Sequence, residues 1–279
     1  MIFDTHSHCY WDSISPRIEE VLANMKSSGV TKAVQIGCDI ETSKKALHLA
    51  ESHRDIFYAT VGLHPETAQN EGMFELALEF ERLILENRNR IVALGETGLD
   101  FHYLDGTDDG KTPVDWSTIS KKALSQIENQ KHWWRIQFEL AEKNDLPLVI
   151  HTRDARDATL EFMKDEGIGR AVMHCFSEDW DFARELMDFS SEIYFSFSGI
   201  VTYKNATKVQ EAAKNIPLER ILVETDAPFL APQPVRGQVC EPAFTRYTLE
   251  KIAEQRGVSI EAIEEQIYEN SLRFYGIHS

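Results

Sequence analysis

Short apolar runs alternate with longer amphipathic stretches along the whole chain. The runs Ile2–Thr5, Lys32–Ile36, Phe57–Val61, Ile91–Leu94, Leu146–Ile150, Ala171–Met173, Ile193–Phe197 and Ile221–Val223 have the length and hydrophobicity of buried strands. Between them, Pro16–Ser27, Thr42–Ser52, Phe74–Asn87, Trp133–Lys143, Asp157–Asp165, Asp179–Asp188, Ala206–Asn215 and Phe244–Arg256 carry helix-like patterns. A last helix is expected from about Ile260 to Tyr275, with Ser259 as its N-cap and Gly276 as its stop. Eight strand–helix units predict one domain over residues 1–279, an α/β chain folded as a (β/α)₈ TIM barrel. An open doubly wound sheet is the rival, and the lack of a GxGxxG after the first strand weakens its dinucleotide-binding form.

A barrel opens the C-terminal ends of all its strands on one face, so the polar residues there decide the chemistry. The first strand runs into His6-Ser7-His8, and residues two apart on a strand share a face. Two neutral imidazoles on one side can chelate a divalent cation. Later strands end in the same manner, in Gly62-Leu63-His64-Pro65, Gly95-Glu96-Thr97-Gly98-Leu99-Asp100, His151-Thr152-Arg153, His174-Cys175-Phe176-Ser177 and Glu224-Thr225-Asp226-Ala227-Pro228. Taken singly, each has an ordinary structural role: a hydrogen-bonded His, a helix cap at Glu96, a turn opened by Asp226 before Pro228. Taken together they recur at matching positions of a repeating unit, and that recurrence points to one metal site.

Composition narrows the function. The 279 residues hold 42% hydrophobic and 27% charged residues, an ordinary globular balance. No run has the length of a membrane span and no basic-then-apolar signal opens the chain, so a cytoplasmic location without membrane association is expected. The cysteines Cys9, Cys38, Cys175 and Cys240 form no CxxC pair, which fits a reduced protein without a zinc ribbon. With 46 acidic against 29 basic residues the net charge is −17. That argues against a protein that coats nucleic acid through a broad basic face, but not against an enzyme that admits one strand end to a metal-lined pocket.

The set Phe3-Asp4-Thr5-His6-Ser7-His8, Gly62-Leu63-His64-Pro65, Gly95 to Asp100, Leu146-Pro147 through His151 and Arg153, His174 to Ser177, and Glu224 to Pro228 resembles the TatD family of metal-dependent nucleases, in family order across nearly the whole chain. The resemblance implies a TIM barrel, one to three divalent ions and phosphodiester hydrolysis, commonly 3′-to-5′ exonuclease action on DNA or RNA. It implies that His6, His8 and Asp226 bind one metal, that His151 and His174 bind a second, and that Glu96 bridges them where many relatives of the wider superfamily use a carboxylated Lys. Two ions per chain are therefore expected. Four imidazoles favour Zn, Mn, Fe or Ni over Mg by ligand preference, while the resemblance implies that Mg²⁺ or Mn²⁺ supports nuclease activity and makes Mg²⁺ the expected assay cofactor.

Asp226 and Glu96 are the expected catalytic residues, Asp226 holding and deprotonating a water. His64 and Arg153 could hold a phosphate, Arg by its bidentate geometry. Glu224, two residues before Asp226, could orient a ligand or bind a nucleotide sugar. Arg236 is a further substrate contact in Arg236-Gly237-Gln238-Val239-Cys240-Glu241-Pro242-Ala243, where Cys240 departs from the family's usual Asn. The expected partner is nucleic acid at single-stranded ends, with no obligate protein partner. A second departure is the long segment from His102 to Gln130: Leu104–Pro113 reads as a loop, Ser117–Gln130 as helix joined to the one through Trp133 and Trp134, and Asp105, Asp108 and Asp109 as charges that repel a long phosphate chain. Two other functions remain open: a small-molecule hydrolase acting on an amide, lactone or phosphotriester, and a non-catalytic barrel.

Overall fold

The structure, a computed structural model, describes residues 1–70, 74–106 and 119–278. Eight parallel strands form one sheet in sequential order: β1 (Ile2–Ser7), β2 (Val30–Gln35), β3 (Phe57–Val61), β4 (Ile91–Asp100), β5 (Leu148–Arg153), β6 (Ala171–Met173), β7 (Ile193–Phe197) and β8 (Ile221–Val223). The helices between and after them are α1 (Ile18–Ser27), α2 (Ile40–Ser52), α3 (Pro65–Ala68), α4 (Phe74–Glu86), α5 (Lys121–Lys143), α6 (Arg156–Glu166), α7 (Trp180–Phe189), α8 (Thr207–Asn215), α9 (Thr245–Arg256) and α10 (Glu261–Tyr275). The sheet curls until its first strand meets the segment after its last. Asp226 N donates to His6 O at 2.9 Å and His8 N to Ala227 O at 2.7 Å. The expected (β/α)₈ TIM barrel is the observed fold, and the seam that closes it carries His6, His8 and Asp226.

The core divides by strand parity. Leu148 and Ile150, Ala171 and Met173, and Ile221 and Val223 pack outward into the cluster shared with the surrounding helices. Their alternates Val149, Val172 and Leu222, with Phe3, Val34 and Val92, belong to a second cluster inside the barrel that Tyr268, Leu272, Phe274 and Tyr275 of α10 complete. The period of two then places the polar residues. His151 lies two beyond Val149, His174 two beyond Val172, and Glu224 and Asp226 two and four beyond Leu222, while Glu96 reaches the same face only after register shifts along β4. The inward face that is apolar at one end of the barrel becomes imidazole and carboxylate at the other.

Three strands run further than their apolarity predicts. β4 extends through Glu96 to Asp100, β5 through His151 to Arg153, and β1 through His6 to Ser7. Hydrophobicity fades where the inner face turns polar, but the ladder continues, pairing Thr97 with Ile150, Gly98 with His151 and Asp100 with Arg153. Gly98 is required there. Its φ is +131°, and a Cβ on it would lie 2.1 Å from His151 O.

Other boundaries shift for local reasons. α5 starts at Lys121 with the Ser120 hydroxyl accepting from Ala123 N, and continues through Trp133 and Trp134 to Lys143. α10 starts at Glu261 after Ile260, so Ser259 is not its N-cap, while Gly276 ends it at φ +63° as expected. Within the segment from His102 to Gln130, Leu104 is buried rather than looped into solvent. Asp105 turns back to α5, accepting from Ser120 Oγ at 2.7 Å and Lys122 Nζ at 3.0 Å, which neutralises the charge expected to repel phosphate. Asp108, Asp109 and the rest of the expected loop to Pro113 lie outside the described residues. No helix among the described residues is long and apolar enough to cross a membrane.

Candidate metal centre

All six expected ligands converge at the C-terminal mouth. His8 Nε2 lies 3.3 Å and His6 Nε2 3.5 Å from Asp226 Oδ1. Glu96 faces both halves of the cluster. Its Oε2 lies 3.4 Å from His6 Nε2, and its Oε1 lies 2.8 Å from His151 Nδ1 and 2.9 Å from His174 Nε2. The rings are packed as well, His6 stacked on His174 with centroids 3.9 Å apart. Two donors each about 2.1 Å from a tetrahedral ion stand about 3.4 Å apart. The spacings among His6, His8, Asp226 and Glu96 Oε2 have that size, whereas those of Glu96 Oε1 are hydrogen-bond lengths that must open to admit a cation.

Each outer nitrogen has a task that prepares the inner one. Tyr10 donates to Ile36 O at 2.6 Å, so its oxygen is free to accept from His8 Nδ1 at 2.9 Å, which leaves the His8 Nε2 lone pair facing Asp226. His174 Nδ1 lies 3.2 Å from Glu224 Oε1, and His151 Nε2 lies 3.1 Å from Asp100 Oδ2. A carboxylate or carbonyl behind an imidazole is how proteins orient metal-binding histidines. His6 is different. It is wholly buried, and neither ring nitrogen has a hydrogen-bond partner. An orphaned buried imidazole is unfavourable unless something else takes its lone pair. These observations fit a divalent cation held by His6, His8, Asp226 and Glu96, and a second held by Glu96, His151 and His174.

The remaining expected site residues separate. His64 faces the cluster, Nε2 3.4 Å from Glu96 Oε1, while its Nδ1 accepts from Glu66 N at 3.1 Å and caps α3. Arg153 and Arg236 are exposed. Each lies over a tyrosine ring, Arg153 at 5.2 Å from Tyr103 and Arg236 at 4.4 Å from Tyr203. Glu224 is corrected. It is fully buried, and its Oε1 accepts from Cys175 N at 2.9 Å as well as facing His174 Nδ1, a position that fits the expected ligand-orienting role and not the contact with a nucleotide sugar.

Two residues beside the cluster escaped the sequence reading. Asp100 stands in the quoted motif and on the inner face of β4, an even number of residues from Glu96, and that spacing was its only signal. Cys38 has Sγ 3.9 Å from Glu96 Oε2 and 4.0 Å from His8 Nδ1, and β2 gave no polar pattern to announce it. Burial, with Glu96 and Asp226 beside it, pushes its thiol pKa well up.

A model of the family described as TatD related DNase matches residues 3–276. The chain belongs to the TatD family. YabD of Bacillus subtilis (strain 168) is 36% identical over all of both chains, and YcfH of Escherichia coli (strain K12) is 34% identical over 99% of this chain and 97% of its own. Both are named as uncharacterized metal-dependent hydrolases. In fold, the TatD homologue YJJV of Escherichia coli K12 superposes with a TM-score of 0.85 at 24% identity, covering 99% of this chain and 98% of that one. This TatD protein is thus a metal-dependent hydrolase.

Cys240, the departure from the TatD pattern, does not loosen its loop. It is buried and its N–H bonds to Pro228 O at 3.0 Å, while Glu241 accepts from Arg17 at 3.0 Å and Asn24 at 2.9 Å. Backbone and neighbour supply the tether.

The same carboxylates that could hold a cation in the TatD site also favour protons on its histidines. Burial pulls the His151 pKa down, but hydrogen bonds with Asp100 and Glu96 outweigh it and raise it to about 9. His174 is likewise pulled down by burial and held well above the ordinary value by Glu96 and Glu224. A cation must displace these protons. Apparent metal affinity should therefore rise with pH up to about 9. Calorimetric titration in buffers of different ionisation enthalpy would read the protons released; a pH-independent affinity without proton release would contradict this.

Asp100 gives a further expectation. Asp100→Asn keeps the shape but removes the charge behind His151, and should lower metal affinity or turnover about 10- to 100-fold. Unchanged affinity and turnover would show that His151 needs no such partner.

Proposed function

We propose that the protein hydrolyses phosphodiester bonds of nucleic acid, DNA first and RNA second, from single-stranded ends in the 3′-to-5′ direction, with two divalent ions and Mg²⁺ as the assay metal, Mn²⁺ or Zn²⁺ replacing it. The observation that carries the reading is the mouth itself. In a chain of net charge −17, the rim of the cluster presents Arg153 over Tyr103 and Arg236 over Tyr203. Cations interleaved with aromatic faces suit a single strand, whose phosphates and bases alternate.

A bound metal supplies Lewis acidity and a lowered pKa for water. The chain supplies the rest. Asp226 is the site carboxylate a substrate water can reach, 17% exposed against 5% for Glu96, 3% for Asp100 and 0% for Glu224. Burial raises its pKa, but the neighbouring imidazoles of His8, His6 and His174 outweigh it, so the carboxylate stays ionised and able to take a proton. With Oδ1 turned to His6 and His8, the other oxygen is the one that holds the water and accepts its proton. Glu96 supplies negative charge to both halves of the site. Arg153 and Arg236 hold phosphate, and His64 does so from inside the rim.

The net charge of −17 favours one other reading, a small-molecule hydrolase whose substrate carries little charge. End-labelled single-stranded DNA and RNA, incubated with Mg²⁺, Mn²⁺ or chelator, separate the two. Stepwise shortening from the 3′ end that chelator stops is the expected result. No cleavage in any metal, with turnover of amides or lactones, would replace the nuclease reading.

A further inference from the structure

Two large aromatic side chains stand beside the cluster and have no part in the chemistry above. Trp11 and Phe229 are each 47% exposed. Their rings meet edge to face with centroids 5.8 Å apart, and Phe229 lies 6.4 Å from the ring of His8. Each sits three residues beyond a metal-site residue, Trp11 after His8 and Phe229 after Asp226.

Their backbones are clamped. Trp11 N donates to His8 O at 3.1 Å, and Trp11 O accepts from Ile14 N and Ser15 N, both at 2.8 Å. Phe229 N donates to Asp226 O at 2.9 Å, and Pro228 O accepts from Cys240 N at 3.0 Å. Isolated exposed apolar residues are common and need no explanation. A touching pair is different when it is held rigid on two loops that also carry the metal site.

We infer that Trp11 and Phe229 form a stacking subsite for the unpaired nucleobase next to the scissile phosphodiester. The inference rests on the nucleic-acid reading above and adds to it the feature that selects an unpaired end. The occupant must be flat, aromatic and uncharged. Among the described residues no cation lies over either ring, in contrast to Tyr103 and Tyr203 under their arginines. An uncharged base also meets no opposition from the protein's negative charge. Phe229 is close enough to His8 that a nucleotide with its phosphate at the cluster places its own base, one sugar away, at this pair. A base inside a duplex has its faces covered by its neighbours and must leave the stack first, so single-stranded ends bind in preference.

The test compares two single-stranded oligonucleotides that differ only at the reacting end, one with a base and one abasic. The wild-type protein should prefer the first through KM. Trp11→Ala and Phe229→Ala should each raise KM for the base-bearing end roughly 5- to 150-fold and reduce the preference towards one. Trp11→Phe should restore most of it, and both side chains are exposed enough for the melting temperature to stay near wild type. A direct reading comes from 2-aminopurine deoxynucleoside monophosphate with metal-free protein: quenching of its fluorescence on binding is expected, and loss of quenching in both Ala variants.

A wild-type preference that survives in both Ala variants, or a bound 2-aminopurine that is not quenched, overturns the subsite and leaves the nuclease reading standing. A wild-type protein that cleaves neither oligonucleotide overturns the nuclease reading. In that case quenching lost in both variants still upholds the pair as a base-binding site, and its absence overturns that as well.

Discussion

Glu96→Gln should reduce hydrolysis by about 10³-fold or more, a barrier increase of about 4 kcal/mol, while leaving the barrel folded. Burial raises the pKa of this carboxyl, yet the charges of His174 and His64 and hydrogen bonds from His151 and His174 hold it well below the ordinary value. It is therefore an anion at every working pH, with one oxygen towards His6 and the other towards His151 and His174. The amide keeps the shape and removes the charge, so neither half of the site retains its common counter-ion. Glu96→Ala should be at least as inactive, and Asp226→Asn should match it in rate while keeping more metal, because it removes the proton acceptor rather than the shared ligand. Turnover and bound metal measured on the same samples check the pair of claims. Near wild-type turnover in either Glu96 variant would remove Glu96 from the centre of the site, and in Asp226→Asn it would remove the proposed base.

Gly98→Ala is the second large effect expected, and it acts without touching a metal ligand. Gly98 pairs with His151 across β4 and β5 at φ +131°, and a Cβ there would lie 2.1 Å from His151 O. Both partners are backbone, so no side chain can swing aside. The strand must shift, and His151 shifts with it. A loss of about 2–4 kcal/mol is expected from the strained φ and the displaced ladder. At about 2–4 °C per kcal/mol for a chain of this size, the melting temperature should fall by roughly 5–15 °C. Activity should fall further than stability explains, because His151 is moved from Glu96 and Asp100. Wild-type melting and turnover in this variant would mean that the close approach is not a constraint.

The acid side of the rate profile follows from the same charges. Asp226 has a lowered pKa, so it is not the group that fails first as pH falls. His151, raised to about 9, and His174 regain their protons first and exclude metal. Raising the metal concentration should therefore move the acid limb to lower pH. A limb that stays in place over a hundredfold range of metal would assign it to Asp226 or another catalytic proton.

The alternation of apolar runs and amphipathic stretches was enough to derive the barrel, because strand and helix periods are local properties of neighbouring residues. His151, His174 and Asp226 were legible for a related reason: each follows an apolar inward position (Val149, Val172, Leu222) by an even number of residues, and a barrel turns that rhythm into convergence on one mouth, whereas His6, His8 and Glu96 were legible only from their motifs at strand ends, because the ladders of β1 and β4 shift register before them. What lay across the barrel was not legible. That Tyr10 and Ile36 orient His8, that Asp100 backs His151, and that Glu224 is spent on His174 and Cys175 depend on distances between separate strands, which no spacing along the chain encodes. The reach of β4 and β5 past their apolar stretches was hidden because backbone pairing holds a strand that hydrophobicity no longer marks. The binding consequence of Trp11 and Phe229 came from closure of the seam between the two ends of the sheet, which brings loops more than two hundred residues apart into contact.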